Sequence, residues 1–186
     1  MKITPDHRYH AMWLYTANGR GGSTGIMQPA TSDLHEQSTW KLFFLGSLTY
    51  GVYAAYYCQR QTLRLNPHLA EGRNISTDLG RVIVGLNWVS LALFVMNLGV
   101  EDGHAIEPLS GFVDTAAGIA FVVWGFTMRG RINELFRSRP GEPLWFHGFW
   151  TFCFSPFYFN YKINTLVQHN MDFAVPPIAP PPPIDI

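Results

Sequence analysis

The chain has 186 residues, enough for one domain, and 13 Lys and Arg balance 13 Asp and Glu to a formal net charge of zero at pH 7. A neutral chain has no global field to recruit nucleic acid or an acidic partner, and nucleic acid is excluded on that ground. The 14 Phe, 8 Tyr and 6 Trp fall largely in or beside long apolar stretches, the distribution that membrane interfaces favour.

Residues 1–39 are polar, with Gly19, Gly21, Gly22 and Gly25 clustered near Arg20, and read as an irregular arm. The first twenty residues have no apolar signal-like region, so insertion is expected to be driven by the later spans. Trp13 and Tyr15 lie in the one short apolar patch of the arm, Ala11–Tyr15, and are expected to contact a partner. His7 and His10 have a spacing that suits one helical face, with Asp6 and His35 as further donors. The neighbouring Pro5 and the absence of a ligand at diagnostic spacing leave no metal predicted.

Four apolar stretches follow, Trp40–Cys58, Val82–Val100, Leu109–Met128 and Leu144–Tyr161. A hydrocarbon core of ~30 Å takes ~17–25 helical residues to cross, and all four fit. The expected fold is all-α, a polytopic membrane protein of four transmembrane helices arranged as two hairpins. That domain covers 40–170, between the arm 1–39 and a proline-rich tail 171–186. The first helix is expected to run on to Leu65, where Pro67 stops it. Ser76, Thr77 or Asp78 then caps the second helix, and Pro108 fits the first turn of the third. Ile132, Leu135 and Phe136 suggest a brief amphipathic helix between spans three and four. Pro156 predicts a kink in the aromatic fourth span, whose full crossing the sequence leaves open. The tail from Val175 should be extended polyproline II. Its Pro180, Pro181, Pro182 and Pro183 are partner-contact candidates, with Phe149, Trp150, Phe157 and Tyr158 of span four.

Arg60, Arg64, Arg73 and Arg81 lie between spans one and two, and Arg129, Arg131, Arg137 and Arg139 between spans three and four. The intervening loop holds only acidic charge, Glu101, Asp102 and Glu107. The excess of arginine on one side predicts both arginine loops in the cytoplasm and both termini outside it. The localisation expected is a bacterial inner, or an energy-transducing, membrane.

Two stretches carry a resemblance. The first, Trp40 to Asn66, has Thr49, Gly51, Val52 and Tyr53, the aromatic pair Tyr56 and Tyr57, then Arg60 and Asn66. The second is FYFNYKINTL, Phe157 to Leu166. Together they resemble a bacterial family of small multi-span membrane proteins known only as a domain of unknown function. The resemblance implies a helical membrane protein and supplies no catalytic residue. A faint internal echo also links YYCQRQTLRLN after span one with TMRGRINELF after span three. A duplicated hairpin would explain it, as would the attraction of arginine to cytoplasmic helix ends.

Asp114 is an ionisable group inside span three, where a charge costs at least ~2.5 kcal/mol at the bilayer centre. With Asn87 and Asn97 of span two it forms the candidate intramembrane polar site. A hydrogen-bonded packing role is the plainer reading at that shallow depth, and the sequence shows neither the broken-helix pairs nor the second buried charge of a coupled carrier. His147 is the one histidine within a span and the candidate pigment ligand. No cofactor is predicted beyond bound lipid, with pigment admitted through His147. Cys58 and Cys153 read as small apolar residues. No catalytic motif is present, so the chain is not expected to be an enzyme. The leading expectation is a non-catalytic accessory subunit of a larger membrane complex, respiratory or photosynthetic, whose terminal arms clamp other membrane-protein subunits. The alternatives are a small ion or proton channel or carrier using Asp114, and a lipid- or pigment-binding protein using His147 and the aromatics.

Overall fold

The computed structural model describes residues 30, 32–35, 37–99, 106–142 and 144–174. Every regular element among them is helical: α1 (Thr39–Leu48), α2 (Val52–Leu65), a 3₁₀ turn (Asn66–His68), α3 (Thr77–Asn97), α4 (Ile106–Leu135) and α5 (Gly148–Ala174). Consecutive helices from α2 to α5 pack on one another, α1 packs on α2 and α5, and α2 also touches α4 and α5. α2, only 14 residues long, is therefore the centre of the bundle. Tyr57, Cys58 and Leu65 of α2 are fully buried against Ile83, Trp124, Met128, Ile132 and Ile163. Polar links close the same core: Trp124 Nε1 donates to Thr62 Oγ1 at 2.9 Å, and that hydroxyl donates to Cys58 O at 2.9 Å.

Two glycines set the closest helix approaches. A Cβ on Gly80 of α3 would lie 3.3 Å from the Gln59 backbone, and one on Gly125 of α4 would lie 2.7 Å from Ser155 Oγ. Gly111 and Gly118, earlier on α4, do not serve this purpose, since both face open space.

α3 and α4 have the length and apolarity to cross a bilayer, with 21 and 30 residues. Only 22% of each apolar window is buried, so most of that apolar surface faces outward rather than into a core. The brief helix expected around Ile132 is instead the end of α4. With no proline between Met128 and Leu135 to break the ladder, Ile132 continues the buried stripe.

The first apolar stretch is not one helix. It breaks at Thr49–Gly51, and the chain folds back on itself. A Cβ on Gly46 would lie 3.5 Å from that of Ala54, Tyr53 Oη donates to Gln37 Oε1, and Asp33 pairs with His68 at 2.9 Å. α5 bends as Pro156 predicts. Ser155 leaves the helical region (φ 27°, ψ −103°), because a proline disfavours helical backbone in the residue before it.

Two loops are closed by the same device. The Asn66 side chain donates to Ile75 O (3.0 Å) and accepts from Ile75 N–H (2.9 Å). The Asn133 side chain does the same with Phe146, at 3.2 and 2.9 Å. Ile75 and Phe146 each stand two residues before the next helix, and the residue between caps it. Ser76 Oγ accepts from Asp78 N–H at 3.2 Å, and His147 Nδ1 from Phe149 N–H at 3.3 Å. The two loops meet at one end of the bundle, where Glu134 pairs with Arg73 (3.0 Å) and Arg131 (3.5 Å). All the arginines from Arg60 to Arg139 are thereby gathered toward that end.

Candidate functional site: a carboxylate at a helix break

The break between α1 and α2 is a built turn. Gly51 N–H donates to Gly46 O at 2.7 Å and Tyr50 N–H to Ser47 O at 3.2 Å, the bond pair of a Schellman motif. That motif requires a left-handed residue after the helix cap, and here it is a tyrosine, Tyr50, at φ 50°. Gly51 follows at φ 87°, so two successive residues are left-handed. Thr49 joins the two helix ends: its hydroxyl donates to Leu45 O at 2.7 Å and accepts from Tyr53 N–H at 2.9 Å. Thr49, Gly51 and Tyr53 thus encode a change of direction inside an apolar run.

The turn sits on α3 and α4. Tyr50 stacks on Phe94 with ring centroids 4.7 Å apart. Asn87 is buried against Gly51, and a Cβ there would come within 2.3 Å of Asn87 Oδ1. Asn87 Nδ2 donates to Ile83 O at 2.8 Å. Asp114, eight residues into α4, completes the arrangement ~12 Å from that helix's start. One carboxylate oxygen accepts from Tyr50 Oη at 3.1 Å, and the other accepts a short hydrogen bond from the buried hydroxyl of Ser90. The carboxylate is half-buried and reaches three elements at once: the turn, α3 and α4.

The fold therefore brings Asp114 and Asn87 to the same turn and leaves Asn97 apart, at the last helical position of α3. Sequence reasoning missed Tyr50 and Ser90. Ser90 stands three residues after Asn87 and so on the same helical face, which was the available signal. Tyr50 had none, because its role depends on a backbone conformation that hydropathy does not register.

A second polar group joins the start of α1 to α5. Asn160 Nδ2 donates to Gln37 O and Thr39 Oγ1, both at 3.0 Å, and Asn164 Nδ2 donates to Gln37 O at 2.9 Å. Asn160 and Asn164 belong to the stretch FYFNYKINTL, and Tyr53 of the first motif contacts the same Gln37. The two stretches that carry the resemblance thus meet at one residue.

His147 is exposed and lies just before α5 as its cap, with its backbone N–H donating to Tyr158 Oη at 3.1 Å. Phe149 and Trp150 are exposed and pack edge to face at 5.3 Å. Phe157 is partly buried and packs edge to face on Phe43, with ring centroids 5.7 Å apart. Trp13, Tyr15, Pro180, Pro181, Pro182 and Pro183 lie outside the described residues.

A family model described as "Domain of unknown function (DUF4234)" matches residues 37–134, just over half of the chain. The chain belongs to this family. The DUF4234 region begins at Gln37 and contains the whole Thr49–Gly51 turn, Asn87, Ser90, Asp114 and both loop-closing asparagines. It ends before α5. No curated protein and no solved structure matches the chain.

Proposed function

We propose that this DUF4234 protein is an integral membrane protein whose working group is Asp114, the proton- or cation-binding residue of a small channel or carrier. One observation carries the reading: a carboxylate held by two hydroxyls at the point where a helix breaks. Inside a bilayer a carboxylate and an interrupted helix are both costly, and non-helical backbone is tolerated there where it is shielded by protein or lines a polar path. A broken helix at such a residue is the usual construction of an ion site in transporters. Left-handed Tyr50 adds local strain of the sort that collects at functional positions.

In the accompanying topology the arginine end faces the cytoplasm, α3, α4 and the kinked α5 cross, and α1–α2 dips in from the cytoplasmic side. The contact of Asp33 with His68 favours this over a single first crossing. Four full crossings with both termini outside remain the alternative topology.

The test is reconstitution into liposomes carrying a pH-sensitive or cation-sensitive dye. Wild-type protein is expected to dissipate an imposed proton, sodium or potassium gradient. Asp114→Asn should abolish that flux, and Ser90→Ala should reduce it. Equal flux from wild type and Asp114→Asn overturns the reading. A second reading, the accessory subunit, draws on the outward-facing Gly111 and Gly118 of α4, where a neighbouring helix has room to dock. Native gels of gently extracted protein test it: stoichiometric partner subunits support it, and a colourless homo-oligomer does not.

A further inference from the structure

We infer that the turn Arg137–Arg139, at the arginine end of the bundle, is a binding site for the phosphate headgroup of an anionic phospholipid. This rests on the membrane reading above. α4 is 30 residues long, about 45 Å at ~1.5 Å per residue, while the hydrocarbon core is ~30 Å thick. If the apolar stretch 109–128 fills the core, the last turns of α4 and the turn after them stand in the headgroup layer.

Among the described residues, charge at that end is unbalanced. Arg60, Arg64, Arg73, Arg81, Arg129, Arg131, Arg137 and Arg139 face the carboxylates Asp33, Glu71, Asp78, Glu134 and Glu142. The two carboxylates nearest the turn are already engaged. Glu134 holds Arg73 and Arg131, and Glu142 accepts from the backbone N–H of Arg139 at 2.8 Å. Arg137 and Arg139 are exposed and form no ion pair among the described residues.

The turn is also held in place. Ser138 N–H donates to Asn133 O (3.0 Å) and Arg137 N–H to Glu134 O (3.1 Å), a second Schellman motif. Arg137 occupies its left-handed position at φ 49°, where glycine is least costly. Asn133, which fixes Phe146, also accepts from Ser138 Oγ. An arginine forced into a glycine position, outward-facing and next to a second arginine, places side by side two guanidinium groups that form no ion pair among the described residues. A guanidinium fork holds the oxygens of a phosphodiester bidentately, so a phospholipid phosphate is an anion suited to such a pair.

The test uses full-length protein in nanodiscs of phosphatidylcholine with part of the lipid exchanged for phosphatidylglycerol, read by native mass spectrometry of retained lipids. The expected result is enrichment of phosphatidylglycerol on the order of tenfold. Arg137→Gln with Arg139→Gln should reduce it to near one, and Arg81→Gln, whose partner is Asp78, should leave it in place. No enrichment in correctly loaded discs, or equal loss with Arg81→Gln, overturns the site while leaving the membrane reading intact. Protein that never enters the discs overturns both.

Discussion

Tyr50 and Gly51 carry the change of direction, so substitutions there report directly on it. Gly51→Ala places a Cβ on a φ of 87° and within 2.3 Å of Asn87 Oδ1. The expected cost is about 2–4 kcal/mol of stability, measured by denaturant unfolding in mild detergent. Asn87→Ala in the Gly51→Ala background should recover part of it, since it removes the clash and leaves the backbone strain. A Gly51→Ala protein as stable as wild type would mean the turn is not left-handed. Tyr50→Phe keeps the backbone and removes only the hydroxyl on Asp114, for an expected loss of about 0.5–1.5 kcal/mol. The sequence made Asp114 legible because an acidic side chain in an apolar run stands out. It hid Tyr50, because a tyrosine among aromatic residues gives no sign of positive φ. The Thr-x-Gly spacing was visible as a resemblance, but its meaning as a helix break needed the backbone.

At the scale of elements, the two loop-closing asparagines deserve a matched comparison, since each replaces a missing backbone partner for one N–H and one C=O. Asn66→Ala and Asn133→Ala are each expected to cost about 1–3 kcal/mol. Arg73→Ala and Glu134→Ala, an exposed pair, should each cost under about 1 kcal/mol. Equal effects from all of them would refute the special standing of the asparagines. The echo of Arg-Leu-Asn at 64–66 in Arg-Ile-Asn at 131–133 is more than shared arginine. Both place a buried apolar residue and then an asparagine that brackets the residue two before the next helix. The attraction of arginine to helix ends explains the shared arginine alone, and a duplicated hairpin would explain the asparagine as well. α5 gives a third expectation. Pro156→Ala allows Ser155 to return to the helical region, which swings Phe157 and Asn160 away from α1. Amide exchange in 37–48 should then accelerate, and unchanged exchange would show that α1 is held by other contacts.

For the whole molecule, hydropathy resolved length and apolarity but not direction. Trp40–Cys58 has the apolarity of a span, while its contacts are those of a fold-back: Asp33 with His68, Gln37 with Tyr53 and Gly46 with Ala54. The proposed membrane reading amplifies the difference, because one crossing would put residue 33 opposite the arginine loops and a fold-back would put it beside them. Cysteine labelling in inverted and right-side-out vesicles separates the two. In a Cys153→Ser background, with Cys58 buried, a membrane-impermeant maleimide is expected to reach Pro140→Cys and Asp33→Cys from the same, cytoplasmic face. Leu48→Cys, 82% exposed yet on the apolar α1, should resist the reagent from either face. Labelling of Asp33→Cys and Pro140→Cys from opposite faces would mean that α1 and α2 straighten into one span. The Tyr50 hydroxyl would then leave Asp114, and the carboxylate would keep only Ser90. The topology of residue 33 and the chemistry of Asp114 are therefore one question, answered by which face exposes a single cysteine.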